Sequence, residues 1–145
     1  MTPNQAKLYI GKVGEDIVNE AINFTEKTPD WFDAKKDGRI GYLTYEVKTL
    51  RINHRDQGFW MPENQWKKLD GVDLFFIVKV PEEVEEGLRL YQMVNHHKNY
   101  TIVHHGSKRF RNYLFTKCMP YDIITDDRVK SVMEASQSLQ TWKKK

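Results

Sequence analysis

Near the N-terminus, apolar residues return every three or four positions: Ile10, Val13, Ile17, Ala21 and Phe24, widened by Gly14, Val18 and Ile22. That period predicts a helix from about Gln5 to Phe24. Gly11 and Gly14 interrupt it, and each costs up to ~1 kcal/mol relative to Ala inside a helix. Something is therefore expected to approach the helix backbone closely at these points. Thr28-Pro29-Asp30 ends the helix. A short strand from Trp31 to about Lys36 follows, then a turn at Asp37-Gly38-Arg39-Ile40-Gly41 and a longer strand from Tyr42 to Ile52.

Beyond that hairpin, residues 53–58 are polar and read as a loop, and Pro62 opens a short helix over Glu63 to Leu69. Asp73-Leu74-Phe75-Phe76-Ile77-Val78-Lys79-Val80 is nearly continuous in apolar character, as expected of a strand buried on both faces. An acidic turn from Pro81 to Gly87 separates it from strands at Leu88 to Val94 and Tyr100 to His104, with a further short strand near Tyr113 to Phe115. Asp126 and Asp127 start a C-terminal helix with Val129, Val132, Met133, Ser136 and Leu139 on one face. No repeat, linker or second domain is evident, so residues 1–145 read as one mixed α/β domain.

Composition narrows the class. The chain is 39% hydrophobic and 12% aromatic, which argues against long disorder. No apolar run approaches the ~18 residues of a membrane-spanning helix. Met1-Thr2-Pro3-Asn4-Gln5 has neither a basic nor an apolar leader region, so a soluble, cytoplasmic protein without a membrane partner is expected. Cys118 is the single cysteine, which excludes an intrachain disulfide and a cysteine-based zinc site.

The net charge of +3 is unevenly spread. From Gly87 to Tyr121 there is no Asp or Glu, while Lys108, Arg109 and Arg111 stand among Tyr100, Phe110 and Tyr113. Cations interleaved with stacking-capable rings suit a phosphate backbone, although a solvated sheet face over core aromatics gives the same pattern.

Candidate chemistry centres on Tyr45-Glu46-Val47-Lys48. Strand side chains alternate, so Glu46 and Lys48 project from one face. The spacing alone says little, since Asp33-Ala34-Lys35 repeats it. A five-residue turn at Asp37 to Gly41 would set Asp33 roughly opposite Tyr45 and Glu46, converging two carboxylates with Lys48 one step along. Paired carboxylates need a cation or raised pKa values, and hard oxygen ligands favour Mg²⁺ or Mn²⁺. Asp30 and Asp37 are weaker candidates for the first acid.

Asp33 followed by Glu46-Val47-Lys48 after a hairpin, behind Gly11-Lys12-Val13-Gly14-Glu15 on the first helix, resembles the PD-(D/E)xK nuclease superfamily, in particular small Holliday-junction-resolvase-like or homing-endonuclease-like members. The likeness covers about Leu8 to Val80, and Phe32 stands where many members have the proline before the first acid. It implies a restriction-endonuclease-like domain, a mixed central sheet flanked by helices with an α-β-β-α-β core at about residues 5–80. Residues 87–145 would then serve DNA binding or oligomerisation. It further implies a Mg²⁺-dependent DNA endonuclease leaving 5′-phosphate and 3′-hydroxyl ends, with Mn²⁺ able to substitute.

Under that resemblance Asp33, Glu46 and the Val47 carbonyl would bind the metal. Lys48 would orient or deprotonate water, Glu15 would hold a second metal or a metal-bound water, and Gln65 would be an auxiliary polar group. In the loop after the Glu-x-Lys strand, Arg51, Asn53, His54, Arg55 and Gln57 suit base-edge or phosphate contacts, with Lys108, Arg109 and Arg111 as a further phosphate surface. A small nuclease facing two strands is expected to act as a homodimer or higher oligomer.

Plainer readings exist: an exposed Glu46–Lys48 ion pair, a turn-flanking Asp33, a solvated Glu15 and a helix-surface Gln65. A nucleic-acid-binding module without catalysis is the main rival, and an interaction protein using Trp60, Trp66 and Trp142 is a third class. An HNH-type site from His96-His97 and Asn112 lacks its third ligand.

Overall fold

The computed structural model describes residues 2–22, 38–40, 42–52 and 56–143. Helix α1 runs Pro3–Ala21, two residues ahead of the expected start. Thr2-Pro3-Asn4-Gln5 forms a capping box. The Thr2 hydroxyl accepts from the Gln5 amide at 3.2 Å, the Gln5 side chain accepts from the Thr2 amide at 2.8 Å, and Pro3 takes the first turn.

Strands β1 (Gly38–Ile40) and β2 (Leu43–Arg51) pair antiparallel, with Gly38 opposite Tyr45. Gly38, Arg39 and Ile40, expected in the turn, are therefore strand residues, with Ile40 opposite Leu43. Packing explains the shift: a Cβ on Gly38 would stand 2.3 Å from the Tyr45 hydroxyl oxygen. Gly38 thus makes room for a ring rather than a turn, and it occupies the place opposite Tyr45 that the expected turn gave to Asp33. Asp33, like Asp30 and Asp37, lies outside the described residues.

Strand β3 (Gly58–Pro62) occupies the end of what read as a loop, and leads into α2 (Glu63–Lys68). Strand β4 (Leu74–Val80) then returns parallel to β2, with Glu46 beside Phe75 and Lys48 beside Ile77. Strand β5 (Leu88–Val94) forms a hairpin with β4 through Gly87, whose φ of 74° and lack of Cβ let Ile124's carbonyl approach. Strands β6 (Tyr100–His105) and β7 (Lys108–Leu114) make a second hairpin, and β7 is longer than the strand expected near Tyr113. Strand β8 (Met119–Ile124), absent from the expectation, pairs with β5 across a bulge. Helix α3 spans Arg128–Lys143.

The result is a mixed α/β architecture with two sheets, one of five strands ordered β1-β2-β4-β5-β8 and one of three ordered β3-β7-β6. Phe76 and Val78 of β4 join Tyr45 and the apolar stripes of α1 and α3 in one cluster, including Ile10, Ile17 and Val132. Phe75 and Ile77 join Met61, Leu69, Met93 and Tyr113 in the other, beneath the small sheet and α2. The strand expected over Asp73 to Val80 and buried on both faces is thus observed at Leu74–Val80, with Lys79 half-buried, and so is the C-terminal helix with its apolar face. No described helix is long and apolar enough to cross a membrane.

Helix α1 sits tightly on β2 at Gly14, where a Cβ would lie 1.9 Å from the Thr49 hydroxyl oxygen. Gly14→Ala should therefore destabilise the fold by about 1–3 kcal/mol in urea denaturation. Thr49→Ala in the same chain should return most of that loss. Additive effects in the double variant would show that the two residues do not share this contact.

Candidate functional site

Strand β2 presents two different faces. Tyr45 and Val47 pack toward α1, and Tyr45 donates its hydroxyl hydrogen to Asn19 at 3.0 Å while its ring meets the Phe76 edge. Glu46 and Lys48 alternate to the other face, in register with Phe75 and Ile77, so their sharing of a face holds. Both are half-buried, and they lie past the described end of β1, whose partners are Leu43 to Tyr45. Lys48 takes part in no ion pair among the described residues, which removes the Glu46–Lys48 surface pair as an account of this spacing.

Lys48 borders a groove of about 730 Å³ walled by α1, β2, α2 and α3. Arg51 and Gln65 line it as well, joined by Lys7 and Gly11 from α1. Among the described residues its lining contains three cations and no acid. A concavity of this charge attracts anions, and low-dielectric walls focus its field. Three residues picked from sequence, Lys48, Arg51 and Gln65, are therefore brought together although they come from a strand and a separate helix.

Others are placed elsewhere. Glu15, given a second metal or a metal-bound water by the resemblance, is exposed and does not line the groove. The buried stripe runs through Ala6, Ile10, Val13, Gly14, Ile17 and Val18, which leaves the Gly11 and Glu15 side of the helix facing solvent. Gln57 is exposed, its carbonyl accepting from the Phe115 amide at 2.9 Å. Asn53, His54 and Arg55 lie outside the described residues. Among the described residues no three His, Cys, Asp or Glu side chains gather as a metal site, which also leaves His96 and His97 without the further ligands an HNH-type centre needs.

The basic C-terminal half needs a correction. Arg111 was expected on a phosphate-binding surface, but only 8% of it is exposed. Its guanidinium lies between two rings, 4.2 Å from the Trp66 centroid and 4.3 Å from that of Tyr100. It donates to Asp70 and to the Tyr113 hydroxyl, each at 3.2 Å. Burial opposes its charge, but the bonds to Tyr113 and Asp70 outweigh it and hold the pKa above the ordinary arginine value. Tyr113 passes its own hydrogen to Asn95 at 2.9 Å, and Asn95 donates to the Val72 carbonyl at 2.8 Å. The chain of bonds ties the small sheet to the turn before β4.

Arg109 is exposed but paired with Glu63, which is also bound by Lys67 at 3.1 Å. Those bonds, Lys67's foremost, hold the Glu63 carboxyl below its usual pKa. Lys108 alone of the three is exposed and outside any ion pair among the described residues. It borders a second groove, of about 930 Å³, with His104, Lys67 and Glu63. Sequence could not separate these three cations. A Trp and a Tyr distant in the chain decide which guanidinium is enclosed.

Cys118 sits near Ile52, Asp56 and Lys79 beside a small cavity of about 230 Å³. Burial pushes its thiol up to about 11.

Compared with known proteins, the chain matches no protein-family model, no curated protein and no solved structure.

Two outcomes follow from this geometry. Arg111→Ala should lower unfolding free energy by about 2 kcal/mol, and Arg111→Lys should recover little, because an ammonium cannot fill a planar slot between two rings. Wild-type stability of the Lys variant would remove stacking as the cause. For Cys118, alkylation at pH 8 should be far slower than for a free thiol and should rise with pH toward about 11, since burial disfavours the thiolate. A rate that levels off near pH 8.5, the ordinary cysteine value, would contradict that placement.

Proposed function

We propose that this chain is a Mg²⁺-dependent DNA endonuclease of the PD-(D/E)xK type, on a restriction-endonuclease-like core, acting as a homodimer or larger assembly. The observation that carries this reading is the groove whose lining brings together Lys48 of the Glu-x-Lys strand, Gln65 of the next helix and Arg51. Element order supports it: a helix, a hairpin whose second strand bears Glu46 and Lys48, a short strand that joins the small sheet, a helix, then a strand parallel to β2.

The chemistry of the available donors also fits. Glu46 and the Val47 carbonyl offer oxygen, which suits a hard divalent cation, and an acid from Asp30, Asp33 or Asp37 would complete the set. When bound, Mg²⁺ would lower the pKa of water and neutralise phosphoryl charge. The chain's own residues would do the rest. Lys48 holds a positive charge where negative charge develops on the scissile phosphate and can orient the attacking water. Gln65 can donate an amide hydrogen to a phosphate oxygen, and Arg51 can clamp the adjacent phosphate with two parallel N–H bonds. Products would carry 5′-phosphate and 3′-hydroxyl ends, and Mn²⁺ would substitute. Exposed Glu15 would serve only through a water in this arrangement.

With Mg²⁺, the protein should nick or linearise supercoiled DNA, and EDTA should stop it. Glu46→Gln and Lys48→Ala should each slow cleavage by at least about 10²-fold while DNA is still bound. Asparagine replacements at Asp30, Asp33 and Asp37, measured side by side, should single out the one that supplies the second carboxylate. DNA bound by the wild type but never cut, with Mg²⁺ or with Mn²⁺, would replace this reading with a non-catalytic nucleic-acid-binding module.

A further inference from the structure

Helix α1 contains two interior glycines, and the fold accounts for only one. At Gly14 a side chain would collide with Thr49, so the strand beneath requires the glycine. At Gly11 no atom of the described residues lies within 4 Å of the place a Cβ would take. Among the described residues no φ, turn or contact calls for glycine there, and a helix interior disfavours it relative to alanine. Gly11 is exposed, and it lines the groove that holds Lys7, Lys48, Arg51 and Gln65.

We infer that Gly11 is the point at which the sugar-phosphate backbone of a bound nucleic acid strand comes against α1, the strand running along the groove between Lys7 on the helix and Lys48 and Arg51 on β2. The inference rests on the nuclease reading and adds to it a substrate path and a residue that admits it. Three observations converge on a polyanion. Among the described residues the lining holds three cations and no acid. None of those cations is engaged in an ion pair among the described residues. Gly11, a helical position without a side chain, faces the same space. A glycine lets a ligand reach van der Waals distance of the helix backbone, which any Cβ would prevent. Lys7 stands one turn earlier on the same helix, placed to meet a neighbouring phosphate.

The test separates stability from binding at one position. Wild type, Gly11→Ala, Gly11→Leu and Lys7→Ala are compared for thermal midpoint and for affinity toward a short fluorescein-labelled DNA duplex, across a salt series with Ca²⁺ in place of Mg²⁺. Gly11→Ala should melt about 3 °C higher, because alanine favours the helix. It should nevertheless bind more weakly, and Gly11→Leu should weaken binding by roughly tenfold or more. Lys7→Ala should flatten the slope of log K against log[salt] by about 1. If wild type binds and both Gly11 variants bind equally well, the strand does not pass Gly11 and the inference is overturned while the nuclease reading stands. A lower midpoint for Gly11→Ala would also overturn it, by showing that the fold itself needs this glycine. If wild type binds no DNA at low salt, the nuclease reading falls, and this inference with it.

Discussion

Everything in this fold is arranged about a strand that has no solvent face. Phe75, Phe76 and Ile77 of β4 are wholly buried, and alternation sends Phe76 and Val78 into one cluster and Phe75 and Ile77 into the other. Each such side chain contributes on the order of 1.5–3 kcal/mol when removed from water. That gain exists only if both faces of the strand are covered. Helices α1 and α3 cover one. The small sheet and α2 cover the other. Because β2 and β4 run parallel, the chain between them must cross over, and β3 and α2 are that crossing.

The crossing is also what builds the groove. It carries Gln65 back toward β2, where Lys48 and Arg51 emerge near the edge of the sheet, while the packing of Gly14 on Thr49 holds α1 close enough for Lys7 and Gly11 to form the opposite wall. The site is thus a by-product of covering β4, and its cations sit on elements whose positions the core sets. Rigid elements place charged groups more reproducibly than loops do.

The small sheet meets a different demand. Its central β7 carries an arginine inward, and the cost of burying that charge is offset by two aromatic faces, Asp70 and the Tyr113–Asn95 relay. An arginine in this setting acts as a flat packing element that also carries bonds. Phe59 stacks on Tyr113 at 5.1 Å and meets the edge of Phe75, linking the relay to the core. The consequence for the protein's electrostatics is that the basic C-terminal half shows less positive charge than its composition suggests.

By itself, the sequence determined the elements whose signal is periodic and long: α1 through its Ile10-Val13-Ile17 stripe, α3 through Val129-Val132-Ser136, β4 through an unbroken apolar run, and the shared face of Glu46 and Lys48 through simple alternation. Strand β3 went unread because Gly58 and Pro62 bound only three residues between them, and β8 because Met119-Pro120 looks like a break. Proline in a strand signals an edge, and β8 is indeed the edge of its sheet. Only the tertiary structure decided the register of the first hairpin, since Gly38 yields to the Tyr45 ring and a dipeptide cannot show what will pack against it. Tertiary structure alone also enclosed Arg111, paired Arg109 with Glu63, exposed Glu15 and joined Lys48 to Gln65. Each of those outcomes depends on a partner far along the chain, and local patterning holds no information about distant partners until the core brings them together.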